Sequence, residues 1–492
     1  MAKRAASLFS IDVISPDADC RPAHVRVLER IQAAISSGAL PLNARLPSSR
    51  TLARDLGLSR NTVDEALSRL VAEGFVVRRR GIGSFVSSSL PESRRPALQR
   101  VLPGRRSKVR LSNRAKSLMS YPGHYKPIEA VPFMPSLPPA EFFPRKAWQR
   151  LLNREMRRPG ADYWQYGASN GLPALREAIA AHANAMRATR ASAEQVVVTT
   201  STQQAVELAA KVLADPGESA WVETPGYQPV LHCLRGAGMN VVLVPVDNQG
   251  LSVEAGLNLE PHARLAYVTP AHQYPLGYEM SPGRRNSLLE WSRAEDAYIV
   301  EDDYDGDYRY EGRPIASLQG MERERVIYIG SFNKILFPAL RIAYAIVPEP
   351  LVGAFVDAKH AADGHTALLS QGVLAAFVSE GHLGQHLRST RLSYDERRRL
   401  FLKEAQALHS VMRFGPAAAG MHVTATFRDA SIDDRAVAEA CAKRGIVVGA
   451  LSRFGEPKLR GLVFGFAGAS ADASHAGLAI VKEEILAQTR SC

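Results

Sequence analysis

Nowhere in this chain do uncharged apolar residues run on for the roughly 18 positions a membrane-crossing helix needs, so no membrane partner is expected. Cysteine is scarce: Cys20, Cys233, Cys441 and Cys492 are the four, too far apart for a metal-ligand spacing or a disulfide framework. Reduced thiols in the cytoplasm and no bound metal are the expectation. The N-terminal stretch MAKRAASLFSIDVISPDADC carries basic residues, but Asp12 breaks its apolar part and no secretory leader is expected. Acidic residues are what the first quarter lacks most. Residues 1–126 hold 23 Lys and Arg against 9 Asp and Glu, while the rest holds 38 against 40. The net charge of +12 therefore arises in the first quarter. Positive charge segregated in this way marks a polyanion-binding module more than a solvated face. A chain of 492 residues, 46% hydrophobic and 22% charged, exceeds one ordinary core, and two or more globular domains are expected.

Residues 24–87 read as three helices and a strand pair. Val25, Leu28, Ile31 and Ile35 recur at helical spacing, and Gly38 ends that helix. After Pro47, Ser48 or Ser49 is placed to cap a second helix, RTLARDLG, which Gly57 closes. LSRNTVDEALSRLVAEG reads as a third, with Ser59 at its N-cap and Val63, Leu67 and Leu70 turned inward. FVVRRRGIGSFVSSS adds two short strands around a glycine turn. This is the outline of a winged helix-turn-helix over residues 20–87. Such a module sets the N-terminal end of its third helix in the major groove of double-stranded DNA. That places Ser59, Arg60, Asn61 and Thr62 at base edges or phosphates. Arg78–Arg80 and the tip from Gly81 to Gly83 then reach phosphates or the minor groove.

Residues 88–126 are rich in Ser, Pro and Arg, with Glu92 as their single acidic residue, and read as a basic, extended tether. Beyond them, in residues 127–490, apolar runs such as EQVVVTT, SAWVE, NVVLVPV, RLAYVTP, AYIVEDDY and RVIYIGSF alternate with helical stretches. That alternation predicts an α/β domain on a mostly parallel sheet, with ligands at the C-terminal ends of its strands. Four polar clusters fall at such ends. TTSTQQ, with Ser201 and Thr202, leads into a helix whose N-terminus suits a phosphate. ETPGYQP presents Tyr227 as a stacking surface, and VEDDYD supplies carboxylates. SFNKILFPALR holds Lys334 among apolar neighbours, with Ser331, Asn333 and Arg341 around it. Taken singly, each has a structural reading: a capping turn, a packed aromatic, a buried ion pair. Together they describe one chemistry. A lysine that loses its proton forms a Schiff base, a carboxylate keeps a pyridine nitrogen protonated, and hydroxyls with an arginine clamp a phosphate. The combination points to pyridoxal 5′-phosphate.

Resemblance adds to this reading. LPSSRTLARDLGLSRNTVDEALSRLVAEGFV resembles the DNA-binding domain of the GntR family of bacterial regulators, which implies DNA contacts at Arg50, Arg60, Asn61, Thr62 and Gly83. YGASNGLPALREAIAAH, VETPGYQPV, YVTPAHQYPLG, IVEDDYDGDYRYEGRP and SFNKILFPALRIAY resemble the MocR subfamily, in which a winged helix is fused to a fold-type I aminotransferase-like domain. The resemblance implies Lys334 as the Schiff-base lysine, Asp302 as partner of the pyridine nitrogen, Tyr304 at the ring hydroxyl and Tyr227 stacked on the ring. It places Ser201, Thr202, Gln203, Ser331, Asn333 and Arg341 around the phosphate, His272 and Gln273 in the site wall, and Arg453, with Arg460 as competitor, at an effector carboxylate. It also implies a head-to-tail homodimer. Asn333 and Ser201 depart from the usual Ser and Gly, and Pro229 stands where the GABA-responsive member carries an arginine, so GABA is not expected as ligand. The expected function is a DNA-binding transcriptional regulator that senses a small amino acid or amine, or the cofactor itself. A working aminotransferase carrying a DNA-binding domain, and an empty dimerisation scaffold, are the alternatives.

Overall fold

The computed structural model describes residues 21–89, 110–119, 131–160, 163–313, 315–455 and 458–490. The chain divides into two compact units, Met1–Arg110 and Leu111–Cys492.

In the first unit, helices α1 (Ala23–Ser36), α2 (Ser49–Leu56) and α3 (Arg60–Ala72) precede an antiparallel pair, β1 (Val76–Arg79) and β2 (Gly83–Val86). Leu28, Ile31, Ile35, Leu52, Leu56, Val63, Leu67, Leu70 and Phe75 form its core. The buried stripe of α1 differs from expectation by one residue: Val27, not Val25, completes it, because the four-residue steps 27, 31 and 35 follow the helix face. Ser48 is the serine that caps α2, its hydroxyl accepting from the Thr51 amide, and Gly57 ends that helix at φ 63°. Arg45 Nη2 donates to the carbonyl oxygen of Ile82 at 2.7 Å and holds the turn between the two strands.

The second unit is built on an eight-stranded sheet. Its strands are β3 (Val196–Thr199), β4 (Ser219–Thr224), β5 (Asn240–Asp247), β6 (Gly250–Leu251), β7 (Leu265–Val268), β8 (Tyr298–Asp303), β9 (Val326–Ser331) and β10 (Ala343–Ile346). They lie in the order β3-β10-β9-β8-β7-β4-β5-β6. The run from β9 through β8, β7 and β4 to β5 is parallel, while β10 opposes both its neighbours. Val196, Val198 and Val197, on alternating faces of β3, enter two separate cores, so helices cover both sides of the sheet. A four-stranded antiparallel sheet, β11 (Met412–Phe414), β12 (His422–Phe427), β13 (Gly449–Ala450) and β14 (Gly461–Gly465), follows in the order β11-β12-β14-β13. Part of the expected tether is ordered differently. Asn113–Met119 is a helix, α4, that packs in this unit on α6 (Gln228–Ala237), while residues 90–109 and 120–130 lie outside the described ones. α5 (Thr202–Leu213) follows β3, and α7 (Phe332–Ile335) follows β9.

Candidate functional site

Because β4, β7, β8 and β9 run the same way, their C-terminal ends meet at one edge of the sheet. Thr202, Tyr227, Thr269, Tyr274, Asp302, Tyr304, Ser331 and Lys334 converge there on a single cavity, together with Tyr267 and Ser136. Six of these residues, Thr202, Tyr227, Asp302, Tyr304, Ser331 and Lys334, were expected from sequence. A buried carboxylate fixes the rim: Glu223 accepts from the Thr269 amide (3.1 Å), its hydroxyl (2.6 Å) and Gln273 Nε2 (3.2 Å). Burial pushes Glu223 up to about 7, against those three hydrogen bonds.

Lys334 lies in the short turn of α7. Its Nζ donates to the carbonyl oxygen of Ser136 at 3.2 Å. Withdrawal from water lowers its pKa from the ordinary value, while Asp305 and then Asp302 act in the opposite direction. Asp302 is 4% exposed. Burial raises it to about 7, although Tyr267 donates to its Oδ2 at 2.5 Å and lowers it. Its other oxygen, Oδ1, is buried without a partner. An unsatisfied carboxylate oxygen is costly unless a donor enters the cavity.

Tyr304 stands on the wall. Its hydroxyl donates to the carbonyl oxygen of His272 at 3.1 Å and lies 3.0 Å from His272 Nδ1. Tyr227 holds the N-cap position of α6, and its ring meets Tyr274 edge-on at 6.0 Å. Ser201 caps α5, its hydroxyl accepting from the Gln204 amide at 3.2 Å, so that oxygen is already engaged.

Other expected residues lie beside the cavity rather than on it. Asn333 ties the segment after β3 to the segment before β10: its Nδ2 donates to the Thr200 carbonyl at 3.3 Å and its Oδ1 accepts from the Ile342 amide at 3.0 Å. Gln203 is half-buried on α5, and Arg341 is exposed at φ 55°. Gln273 Nε2 donates to Glu223, to the Pro225 carbonyl (2.9 Å) and to the Tyr274 carbonyl (2.7 Å). Arg453 is exposed and pairs with Glu439 at 3.2 Å, while Arg460 pairs with Asp433 (3.5 Å) and Asp434 (3.2 Å). Sequence reading missed Tyr267, Tyr274, Thr269 and Ser136.

On the first unit, Arg50, Arg60 and Asn61 are exposed, as Gly83 is at the wing. Ser59 is exposed as well and caps α3, its hydroxyl 3.1 Å from the Thr62 amide and 2.8 Å from the Thr62 hydroxyl. Asp64 sits 3.5 Å from Arg60 Nε and 3.5 Å from Arg78 Nη2.

Comparison with known proteins gives a consistent result. Residues 24–86 match the family described as bacterial regulatory proteins, gntR family, and residues 143–463 match aminotransferase class I and II. The probable rhizopine catabolism regulatory protein MocR of Rhizobium meliloti is 36% identical over 479 residues, 96% of either chain. The pyridoxine biosynthesis transcriptional regulator PdxR of Corynebacterium glutamicum is 28% identical over 443 residues, 90% of this chain and 91% of that one. Among solved structures, Pyrococcus horikoshii kynurenine aminotransferase, in complex with PMP, superposes with a TM-score of 0.68 at 25% identity, covering 77% of this chain and 95% of its own. Both halves and nearly the whole length are thus accounted for. The chain belongs to the MocR-type members of the gntR family: it is a DNA-binding transcriptional regulator whose winged helix-turn-helix is joined to a fold-type I aminotransferase-like domain.

Proposed function

We propose that the cavity holds pyridoxal 5′-phosphate through a Schiff base to Lys334, and that a small amino compound or the cofactor itself alters how the first unit binds DNA. The observation that carries this reading is the unpartnered Oδ1 of Asp302 in the same cavity as an amine of lowered proton affinity. A pyridine N–H fits that oxygen, and an aldehyde fits that amine. When bound, the cofactor supplies a carbonyl that condenses with an amine. The chain supplies the rest. Lys334 would offer the nitrogen, Asp302 would accept a hydrogen bond from the ring N–H and keep it protonated, Tyr304 would offer a hydroxyl and Tyr227 a face. The N-terminus of α5 with Thr202 and Ser331 would receive the phosphate, and Ser201, Gln203, Asn333 and Arg341, which lie outside the present lining, would have to turn toward it to serve as further partners.

His272 and Gln273 border the effector space, and Arg453 would serve a carboxylate once released from Glu439. Arg50, Ser59, Arg60, Asn61, Thr62 and Gly83 form the DNA-reading face. The loop carrying Trp164 (68% exposed) and Tyr166 (97% exposed) supports a homodimer, because aromatic rings left in water favour burial against a second copy. A head-to-tail pair would read a two-part operator from the cytoplasm. The test is the visible absorption of the full-length protein titrated with pyridoxal phosphate and then with amines and amino acids. A band that Lys334→Ala abolishes, and that one compound shifts and holds, is expected. Decay to the pyridoxamine form would make the domain a working aminotransferase, and no band at all would overturn the site.

A further inference from the structure

Behind the cavity wall lies a buried ionisable group of residues to which cofactor binding assigns no task. His272 Nδ1 sits 3.1 Å from each carboxylate oxygen of Asp305, and the Tyr304 hydroxyl approaches the same nitrogen. His272 is 3% exposed and Asp305 1%. A third ring backs the pair: His422 lies with its centroid 4.9 Å from that of His272, and its Nε2–H donates to the Pro275 carbonyl at 3.1 Å. The backbone closes over them at Gly420 (φ 75°), where a Cβ would stand 2.1 Å from His272 Cε1 and 2.6 Å from Asp305 Oδ2. Only glycine fits there.

A pair serving packing alone could end on any polar group. This one ends on the hydroxyl that faces the cavity. We propose that Asp305 and His272 form a buried positioning pair that orients the Tyr304 hydroxyl over the cavity and presents a fixed negative charge to the Lys334 nitrogen. With the Nδ1 proton held on Asp305, the ring of His272 cannot turn, and Tyr304 is anchored both to that ring and to its backbone carbonyl. An acceptor entering the cavity takes the hydroxyl proton that the carbonyl holds in its absence. The charged and titratable groups around the pair include Asp302, Lys334, Tyr274, Tyr304, Tyr310 and His422, and Asp305 and Asp302 both favour the protonated form of Lys334. The inference rests on the cavity being a cofactor site, but its charge effect is measurable without cofactor.

The experiment is the pH dependence of Lys334 acetylation by acetic anhydride, followed by mass spectrometry on the cofactor-free full chain. In Asp305→Asn the midpoint should fall by about one pH unit or more, a tenfold loss of proton affinity, and Asp305→Glu should restore most of it. A purely structural role would lower the melting temperature and leave the midpoint unmoved, and a cooperatively melting Asp305→Asn with an unshifted midpoint would overturn the proposal. Should Asp305→Asn not fold, the visible band of the loaded protein decides through a double-mutant cycle. His272→Gln should alter its wavelength in the wild-type background and add nothing in Tyr304→Phe, whereas an additive change would overturn the linkage. A wild type with no visible band but a normal midpoint shift would sink the cofactor reading and leave the charge effect standing.

Discussion

Asp302 shows how one residue links folding to ligand binding. Its folded pKa lies near 7, above the ordinary carboxylate value, because burial outweighs the Tyr267 hydrogen bond. A folded carboxyl with raised pKa binds more protons than the unfolded one between about pH 4 and 7, so its contribution to stability falls as pH rises through that window. Comparing the cofactor-free wild type with Asp302→Asn isolates this term. The stability difference should move in favour of the variant from about pH 4 to pH 7 and then level off, as urea denaturation at a series of pH values would show. The same variant should bind pyridoxal phosphate roughly 10- to 100-fold more weakly, since a charge-assisted hydrogen bond is worth about 1.5–3 kcal/mol. Fluorescence titration measures it. Asp302 and Lys334 were legible because each sits in a short motif. Tyr267 was not: it is 35 positions away, and only the sheet register, which sets it beside Val300 and diagonal to Asp302 on one face, brings it to the carboxylate. The hydrogen bonds of Asn333 were hidden for the same reason, because its partners Thr200 and Ile342, just past the end of β3 and just before β10, are distant in sequence or outside the motif's local pattern.

At the scale of the element, α3 was legible nearly in full: its cap, its buried face and its end follow from spacing alone. Replacing Ser59 by Ala removes the hydroxyl from the Thr62 amide and should cost about 1 kcal/mol of first-unit stability, read by thermal melting. What the one-dimensional pattern could not show is the acid beside Arg60 and Arg78. Asp64 lies within 3.5 Å of both Arg60 and Arg78, and on the proposed DNA-reading face it would compete with phosphates for two cations. Asp64→Asn should tighten DNA binding about fivefold at low salt, the equivalent of roughly 1 kcal/mol of exposed ion pairing. The gain should shrink as salt rises, because screening weakens exposed charges first. An electrophoretic shift series from 50 to 300 mM salt, with a fragment bound by the wild type, tests both statements; equal affinity at low salt would show that Asp64 does not restrain the arginines. α4 is the opposite case. Its basic residues Arg114 and Lys116 continue the tether's charge, and it is helical where it packs on α6, a surface that no local pattern records.

For the whole molecule, charge and cores tell the same story. The basic surplus lies in the first quarter, and the first unit has a hydrophobic core made only of its own residues, Val27 to Val86. The cavity residues all belong to the second unit, whose clusters share no member with that core. Two cores of this kind unfold as two cooperative transitions when neither depends on the other. A ligand stabilises the unit that binds it by about 2.7 kcal/mol at a free concentration 100 times its Kd. For a large unit this corresponds to an upward shift of roughly 2–4 °C. Differential scanning calorimetry should therefore show two transitions, of which pyridoxal phosphate raises one, and Lys334→Ala should remove that shift. Arg60→Ala should abolish operator binding while leaving both transitions and the cofactor shift intact, since its guanidinium is exposed and its ion pair among the described residues is with Asp64 across 3.5 Å. The remaining combination carries the regulation. If the effector acts through the cavity, adding it should change the affinity of the loaded wild type for DNA and have no effect on Lys334→Ala. Two sites coupled in one protein must each alter the other's affinity by the same factor. Operator DNA should thus change the concentration of effector needed to shift the visible band by the factor that the effector imposes on DNA binding, and no change in either direction would mean that the two units are not coupled.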